Sequence, residues 1–154
     1  MKAGLINFRK IFFFPLLALL ILGCGLFNGA ATEREQQNEE VSGGAVLGQV
    51  VTAEGIGAKN APMSETDSFS ASQDVIYVVA EAEQLPQGTT MFARWSKDGQ
   101  PFEDSAELVA DRDYTNTYVE FHLENLQDQM DTGDYSVQIY VNGNPVKETQ
   151  FQVQ

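Results

Sequence analysis

Cysteine, histidine and positive charge are all scarce in this chain, and each shortage closes off a class of chemistry. One Cys and one His stand among 154 residues. A single Cys excludes an intrachain disulfide and any Cys-rich zinc site, and a single His leaves most catalytic triads and zinc hydrolase centres unbuildable. Lys and Arg number 9 against 22 Asp and Glu, for a formal net charge of −13. Such a field repels phosphates, so nucleic acid is excluded as a partner. Long hydrophobic runs are missing too. The run at residues 11 to 22 (IFFFPLLALLIL) has twelve residues, where a membrane span needs about 20.

What is present at the N-terminus is a targeting pattern. Lys2, Arg9 and Lys10 precede that apolar run, as a signal n-region precedes its h-region. The run ends at Ile21-Leu22-Gly23-Cys24, and these four residues resemble the lipobox of bacterial lipoproteins. The resemblance implies cleavage after residue 23 and acylation of Cys24, the chain's only Cys. Two or three acyl chains hold a protein stably at a membrane, since each buried CH₂ contributes roughly 0.8 kcal/mol. Without its first 23 residues the chain carries 6 bases against 22 acids, net −16. The expected arrangement is therefore a signal peptide over residues 1 to 23, then a lipidated Cys and flexible tether over 24 to 44, then a domain over 45 to 154. The tether (GLFNGAATEREQQNEEVSGG after Cys24) is polar and low in apolar residues, too poor to offset ordering entropy. The implied location is extracytoplasmic, anchored to a membrane through lipid. Gly25 is not the Asp that marks inner-membrane retention in some bacteria.

From residue 45 onward, short runs of Val, Ile, Tyr and Phe alternate with polar residues between turn signals, and no twelve-residue window keeps a helical apolar stripe. Residues 75 to 82 set Ile76, Val78, Ala80 and Ala82 on one face and Tyr77, Val79 and Glu81 on the other. Residues 89 to 97 set Met91, Ala93 and Trp95 against Phe92, Arg94 and Ser96. Residues 118 to 124 and 135 to 141 alternate in the same way, and Thr149, Phe151 and Val153 continue an inner face. Residues 45 to 53 and 68 to 70 add two more strands, and 106 to 110 a weak one. Asp98-Gly99 and Asn142-Gly143 are hairpin signals. The fold class is all-β, an antiparallel two-sheet sandwich of about seven strands.

Asp131, Gly133, Tyr135 and Val137 resemble the D-x-G-x-Y-x-C pattern of immunoglobulin-like domains, with Val137 in the place of the Cys. The resemblance implies that Trp95 is the buried strand-C Trp and Tyr135 the tyrosine corner, its hydroxyl bonded to backbone near Asp131. Ile76 or Val78 then replaces the strand-B Cys, which makes this a disulfide-free variant. The stretch from residue 68 to 154 is similar to domains of bacterial surface lipoproteins.

Candidate chemistry is thin, and no catalytic residue is assigned. His122 points outward between Glu120 and Glu124. Asp111 and Asp113, with Thr115, begin as a calcium loop begins, but Asn116 stands where its Gly belongs and His122 where its bidentate Glu belongs. Asp128, Asp131 and Asp134 form a second acidic cluster. Tyr77, Phe92 and Tyr140, with Val79, face away from the inferred core. They either form an apolar partner surface or lie under a loop such as residues 54 to 70. The reading is of a binding or assembly module with an unknown protein or glycan partner, not an enzyme. The alternative is a calcium- or carbohydrate-binding accessory module of the envelope.

Overall fold

A computed structural model describes residues 40–125 and 130–154. Cys24 with its lipobox, the signal segment, most of the tether and Asp128 lie outside the described residues. Eleven strands run in chain order: β1 (Glu40–Val41), β2 (Ala45–Ile56), β3 (Pro62–Glu65), β4 (Ser68–Phe69), β5 (Val75–Leu85), β6 (Thr90–Lys97), β7 (Gln100–Asp104), β8 (Leu108–Val109), β9 (Tyr114–Glu124), β10 (Gly133–Val141) and β11 (Asn144–Val153). One sheet has the order β1-β2-β5-β9, with β3 also on β2. The other has the order β4-β11-β10-β6-β7, with β8 also on β6.

The connectivity is that of an immunoglobulin-like sandwich. Strands β2, β5 and β9 take the A, B and E places in one sheet, and β6, β10 and β11 take C, F and G in the other. Pairing is antiparallel except where β4 runs parallel to β11, joining Ser68–Phe69 to Gln152–Val153. Both expected hairpins are present as two-residue loops, Lys97 pairing with Gln100 and Val141 with Asn144. Asp98 and Gly99 have φ of 49° and 75°, and Asn142 and Gly143 have 49° and 78°. Positive φ at both loop positions defines the type I′ turn, whose twist matches that of the flanking strands.

The surplus over seven strands consists of short pieces with weak alternation. β7 (QPFED) was hidden by a proline and three polar residues, and each of its residues is exposed. The weak strand expected at 106 to 110 is reduced to Leu108–Val109. Ser42-Gly43-Gly44, read as the end of a tether, is a reversal that pairs Glu40–Val41 with Val46 and Ala45. Hydrogen-bonded structure thus begins before the expected boundary at Ala45, because both glycines take positive φ, 80° and 81°, and turn the chain back.

The inner faces are those expected. Ile76, Val78, Ala80 and Ala82 of β5 meet Met91, Ala93 and Trp95 of β6, and Val137, Ile139 and Val141 of β10, in one buried cluster. Phe151 is the hub of its aromatic part. Tyr135 stacks on it at 5.2 Å and 16°, while Trp95 and Phe69 meet it edge-on at 6.1 and 5.5 Å. The tyrosine corner is formed: Tyr135 is 5% exposed, and its hydroxyl donates to the carbonyl oxygen of Asp131 at 2.8 Å. Burial pushes its phenol pKa above 10.0, so the donor stays protonated through the neutral range. The Gly of the motif is required by geometry. Gly133 has a φ of 150°, and a Cβ there would meet the Lys97 stem at 3.1 Å.

One side chain departs from the expected burial, and one buried as expected lacks a polar partner. Val79, expected to face outward, is buried. The chain between β2 and β3 folds back so that its Ala58–Asn60 turn packs against β9, whose Glu120 is the cross-strand neighbour of Val79. Trp95 is fully buried, but its indole Nε1 has no acceptor among the described residues.

Trp95→Ala is expected to cost about 3–5 kcal/mol through the cavity it leaves. Trp95→Phe should cost distinctly less, because it also removes an unpaired donor whose desolvation costs about 1–3 kcal/mol. Equal losses for the two in urea unfolding would contradict this account. Tyr135→Phe keeps the ring against Phe151 and removes one hydrogen bond, an expected loss of about 0.5–1.5 kcal/mol plus the penalty for the unpaired carbonyl. An unchanged denaturant midpoint would show that the corner bond contributes nothing.

Candidate functional site

Strand alternation decides which side chains reach the surface of each sheet. On the β10-β6-β7 face, Phe92 of β6 lies directly across from Tyr140 of β10. The two rings stack at 4.5 Å with 10° between their planes. Two residues further along β6, Arg94 points to the same side, its guanidinium carbon 5.2 Å from the Tyr140 ring centre and 5.9 Å from that of Phe92. Asp104 of β7 stands opposite Arg94 and receives two parallel hydrogen bonds at 2.7 Å, from Nε and Nη2. That hydrogen-bonded pairing raises the Arg94 pKa and lowers that of Asp104. The result is a rigid plate of two rings and a neutralised ion pair.

Tyr77 belongs to the other sheet and does not join this plate. It faces His122 across the β5-β9 ladder, with ring centres 5.9 Å apart and 56° between planes. Of the three outward aromatics, Phe92 and Tyr140 adjoin on one sheet, while Tyr77 stands on the outer face of the other. His122 lies with its Nδ1 3.3 Å from Glu120 and its Nε2 3.9 Å from Glu124, all three side chains on one side of β9. No hydroxyl or thiol nucleophile is bonded to it among the described residues.

The acidic turn points its carboxylates apart. Asp111 Oδ1 accepts from the Tyr114 hydroxyl at 2.6 Å, which raises the Tyr114 pKa, and Asp113 Oδ1 accepts from the Gln87 N–H at 2.7 Å. The side chain of Gln87 donates in turn to the Asp111 carbonyl at 3.0 Å. These bonds fasten the β8-to-β9 turn to the Leu85-to-Thr89 turn. Among the described residues no three His, Cys, Asp or Glu side chains converge as a metal site would need. Asp131 of the second cluster is paired with Lys97 at 3.2 Å, and Asp134 accepts from Gln152 at 3.0 Å.

A further feature had no signal in the sequence pattern. Among the described residues four large apolar side chains are exposed: Met63, Phe102, Leu108 and Val109. Three of these, at 51%, 45% and 60% exposure, lie in the β7-β8 segment beside β9. Period-two alternation fades between residues 100 and 113, so neither their exposure nor their grouping could be read there.

No protein-family model matches the chain, and no curated protein matches it. Solved structures do resemble it. An immunoglobulin-like protein from Pseudomonas aeruginosa aligns over 70% of this chain and 93% of its own, at 13% identity and a TM-score of 0.45. A superoxide reductase (neelaredoxin) from Ignicoccus hospitalis aligns over 58% of this chain and 76% of its own, at 15% identity and a TM-score of 0.39. An alkylpurine DNA glycosylase from Pseudomonas fluorescens, bound to DNA containing an abasic site analog, aligns over 70% of this chain and 30% of its own, at 10% identity and a TM-score of 0.37. At such values none of the three transfers a function to this chain.

The ion pair predicts a pH signature. Asp104 has a folded pKa below its ordinary 3.8, so its stabilisation is complete above the unfolded value and is lost as pH falls through the folded one. By NMR titration its carboxyl should protonate at lower pH than other exposed aspartates. Arg94→Gln should return it to the ordinary range. An unchanged Asp104 titration in that variant would mean that the bidentate pair does not persist in solution.

Proposed function

We propose that this chain is a bacterial lipoprotein, acylated at Cys24 and held at the extracytoplasmic side of a membrane, whose acidic immunoglobulin-like sandwich binds or assembles with a protein partner. The anchor rests on Ile21-Leu22-Gly23-Cys24 at the end of the apolar run. The binding role rests on one observation: Leu108 and Val109, neighbours in β8, are both exposed and line one depression beside β9. Exposed large apolar residues gathered in one place mark interaction surfaces more often than scattered ones do. The lone His held between two glutamates, and turn carboxylates engaged by Tyr114 and Gln87, favour recognition over catalysis.

Lipidation predicts that Cys24→Ser leaves an unprocessed or soluble product, because no other residue can form the thioether. Mass spectrometry of the membrane fraction should find a mature N-terminus at acylated Cys24. A mature chain starting elsewhere, without acyl groups, would refute the anchor.

A further inference from the structure

In constant-type immunoglobulin sandwiches the place beside strand E belongs to strand D. Here the chain that should fill it does not. Between β7 and β9 the only strand is β8, and it pairs with Thr90 and Met91 of β6, in the opposite sheet. β9 is paired with β5 from Tyr114 to Glu124, and among the described residues no strand pairs its other side. An eleven-residue edge of this kind presents a row of backbone donors and acceptors, and it carries neither Lys nor Pro to discourage pairing.

That edge is bordered by depressions that share lining residues, the first also lined by Asn60 of the β2-to-β3 turn. Three depressions of about 390, 380 and 550 Å³ follow one another between β9 and the β7-β8 segment. The first two share Leu108 and Glu120, and the last two share Glu103 and Glu124. Phe102, Leu108 and Val109 line them with apolar surface, while Glu103, Glu120 and Glu124 line them with negative charge. An open edge, apolar seats and carboxylates thus coincide along residues 118 to 124. A second copy of the mature chain would bring another net charge of −16, from 6 bases against 22 acids, to this acidic border, so the charge favours an unlike partner.

We infer that the free edge of β9 accepts an extended, cationic polypeptide segment as an added strand in the vacant D position, with apolar residues over Phe102, Leu108 and Val109 and Lys or Arg toward Glu103, Glu120 and Glu124. This identifies the partner chemistry for the binding role proposed above, and rests on it. Main-chain pairing supplies the affinity and alternate side chains the selectivity. A segment of about six to eight residues matches the length of residues 118 to 124 at roughly 3.3 Å per residue.

The test uses the full acylated chain in detergent and an eight-residue peptide alternating Val and Lys. Binding should protect the amides of β9 from hydrogen exchange. It should weaken at least tenfold with Leu108→Asp or Val109→Asp, or when alternate peptide residues become Pro, which removes the N–H groups. Both substituted side chains are exposed, so folding should survive. A proline-bearing peptide that binds equally, protection confined to the Phe92–Tyr140 face, or no binding would each overturn the inference. A photocrosslinker placed at Val109 or at Tyr140 in cells separates the two levels of the argument. Adducts at Val109 whose crosslinked peptide, sequenced by mass spectrometry, is a Lys- or Arg-bearing segment alternating with apolar residues support the edge. Adducts at Tyr140 alone sink the edge but keep the binding role, and adducts at neither position sink both.

Discussion

Two sheets with no covalent bond between them are held together by one apolar cluster, in which Leu47, Ile76, Val78, Phe121 and Leu123 of the first sheet meet Trp95, Val137, Ile139 and Phe151 of the second, where Phe151 is the aromatic hub. Its side chain is approached by Tyr135 of β10, Trp95 of β6 and Phe69 of β4. Immunoglobulin domains with a cross-link between B and F have a staple whose removal typically costs about 2–5 kcal/mol. In this chain those positions are apolar, and the sheets stay together only as long as the packing is filled. The parallel contact of β4 with β11 places Phe69 against Phe151, so a two-residue strand carries consequences well beyond its length.

The corner at Tyr135 extends the same constraint to the end of the sandwich. Its hydroxyl fixes the Asp131 carbonyl, and the Asp131 carboxylate meets Lys97. Lys97 in turn lies 5.8 Å from the Tyr135 ring. Its stem occupies the space that a side chain at position 133 would need. One buried ring therefore sets the entry of β10, the glycine before it and the end of β6. The unpaired indole nitrogen of Trp95 is a cost within that arrangement, borne because the rest of the ring fills the centre of the core.

The two outer faces have divergent fates under the same alternation. On the β6-β10 face, Phe92 and Tyr140 cover each other, and Asp104 neutralises Arg94. That surface is satisfied by its own contacts. Along β9 the situation differs, since the outer edge of its backbone pairs with no strand among the described residues and Leu108 and Val109 stay exposed beside it, although Glu120 and Glu124 flank His122 and Phe102 meets the Tyr135 ring edge-on. The surplus of acid over base, which looks like a solubility device when spread over the whole chain, is under the proposed strand addition what would select a cationic partner at that edge.

Much of this molecule was legible before folding. Alternation placed Ile76, Val78, Trp95, Phe121, Val137 and Phe151 inside because side chains of a strand point to opposite faces in turn, a local property of the backbone. The turn pairs at Asp98-Gly99 and Asn142-Gly143 are local too, and so is the D-x-G-x-Y corner, which spans five residues. Other features depend on which strands become neighbours, and no local pattern encodes that. Val79 looked like a surface residue, yet in the folded chain it is buried. Alternation turned Tyr77, Phe92 and Tyr140 outward, but only the pairing of strands showed that Phe92 and Tyr140 adjoin while Tyr77 lies on the other sheet. Residues 100 to 113 have too little alternation to declare a face, so the sequence alone determined the two-sheet fold and its core. Only the tertiary structure left β9 open beside Phe102, Leu108 and Val109, because a strand's edge is free or covered according to what the distant chain does.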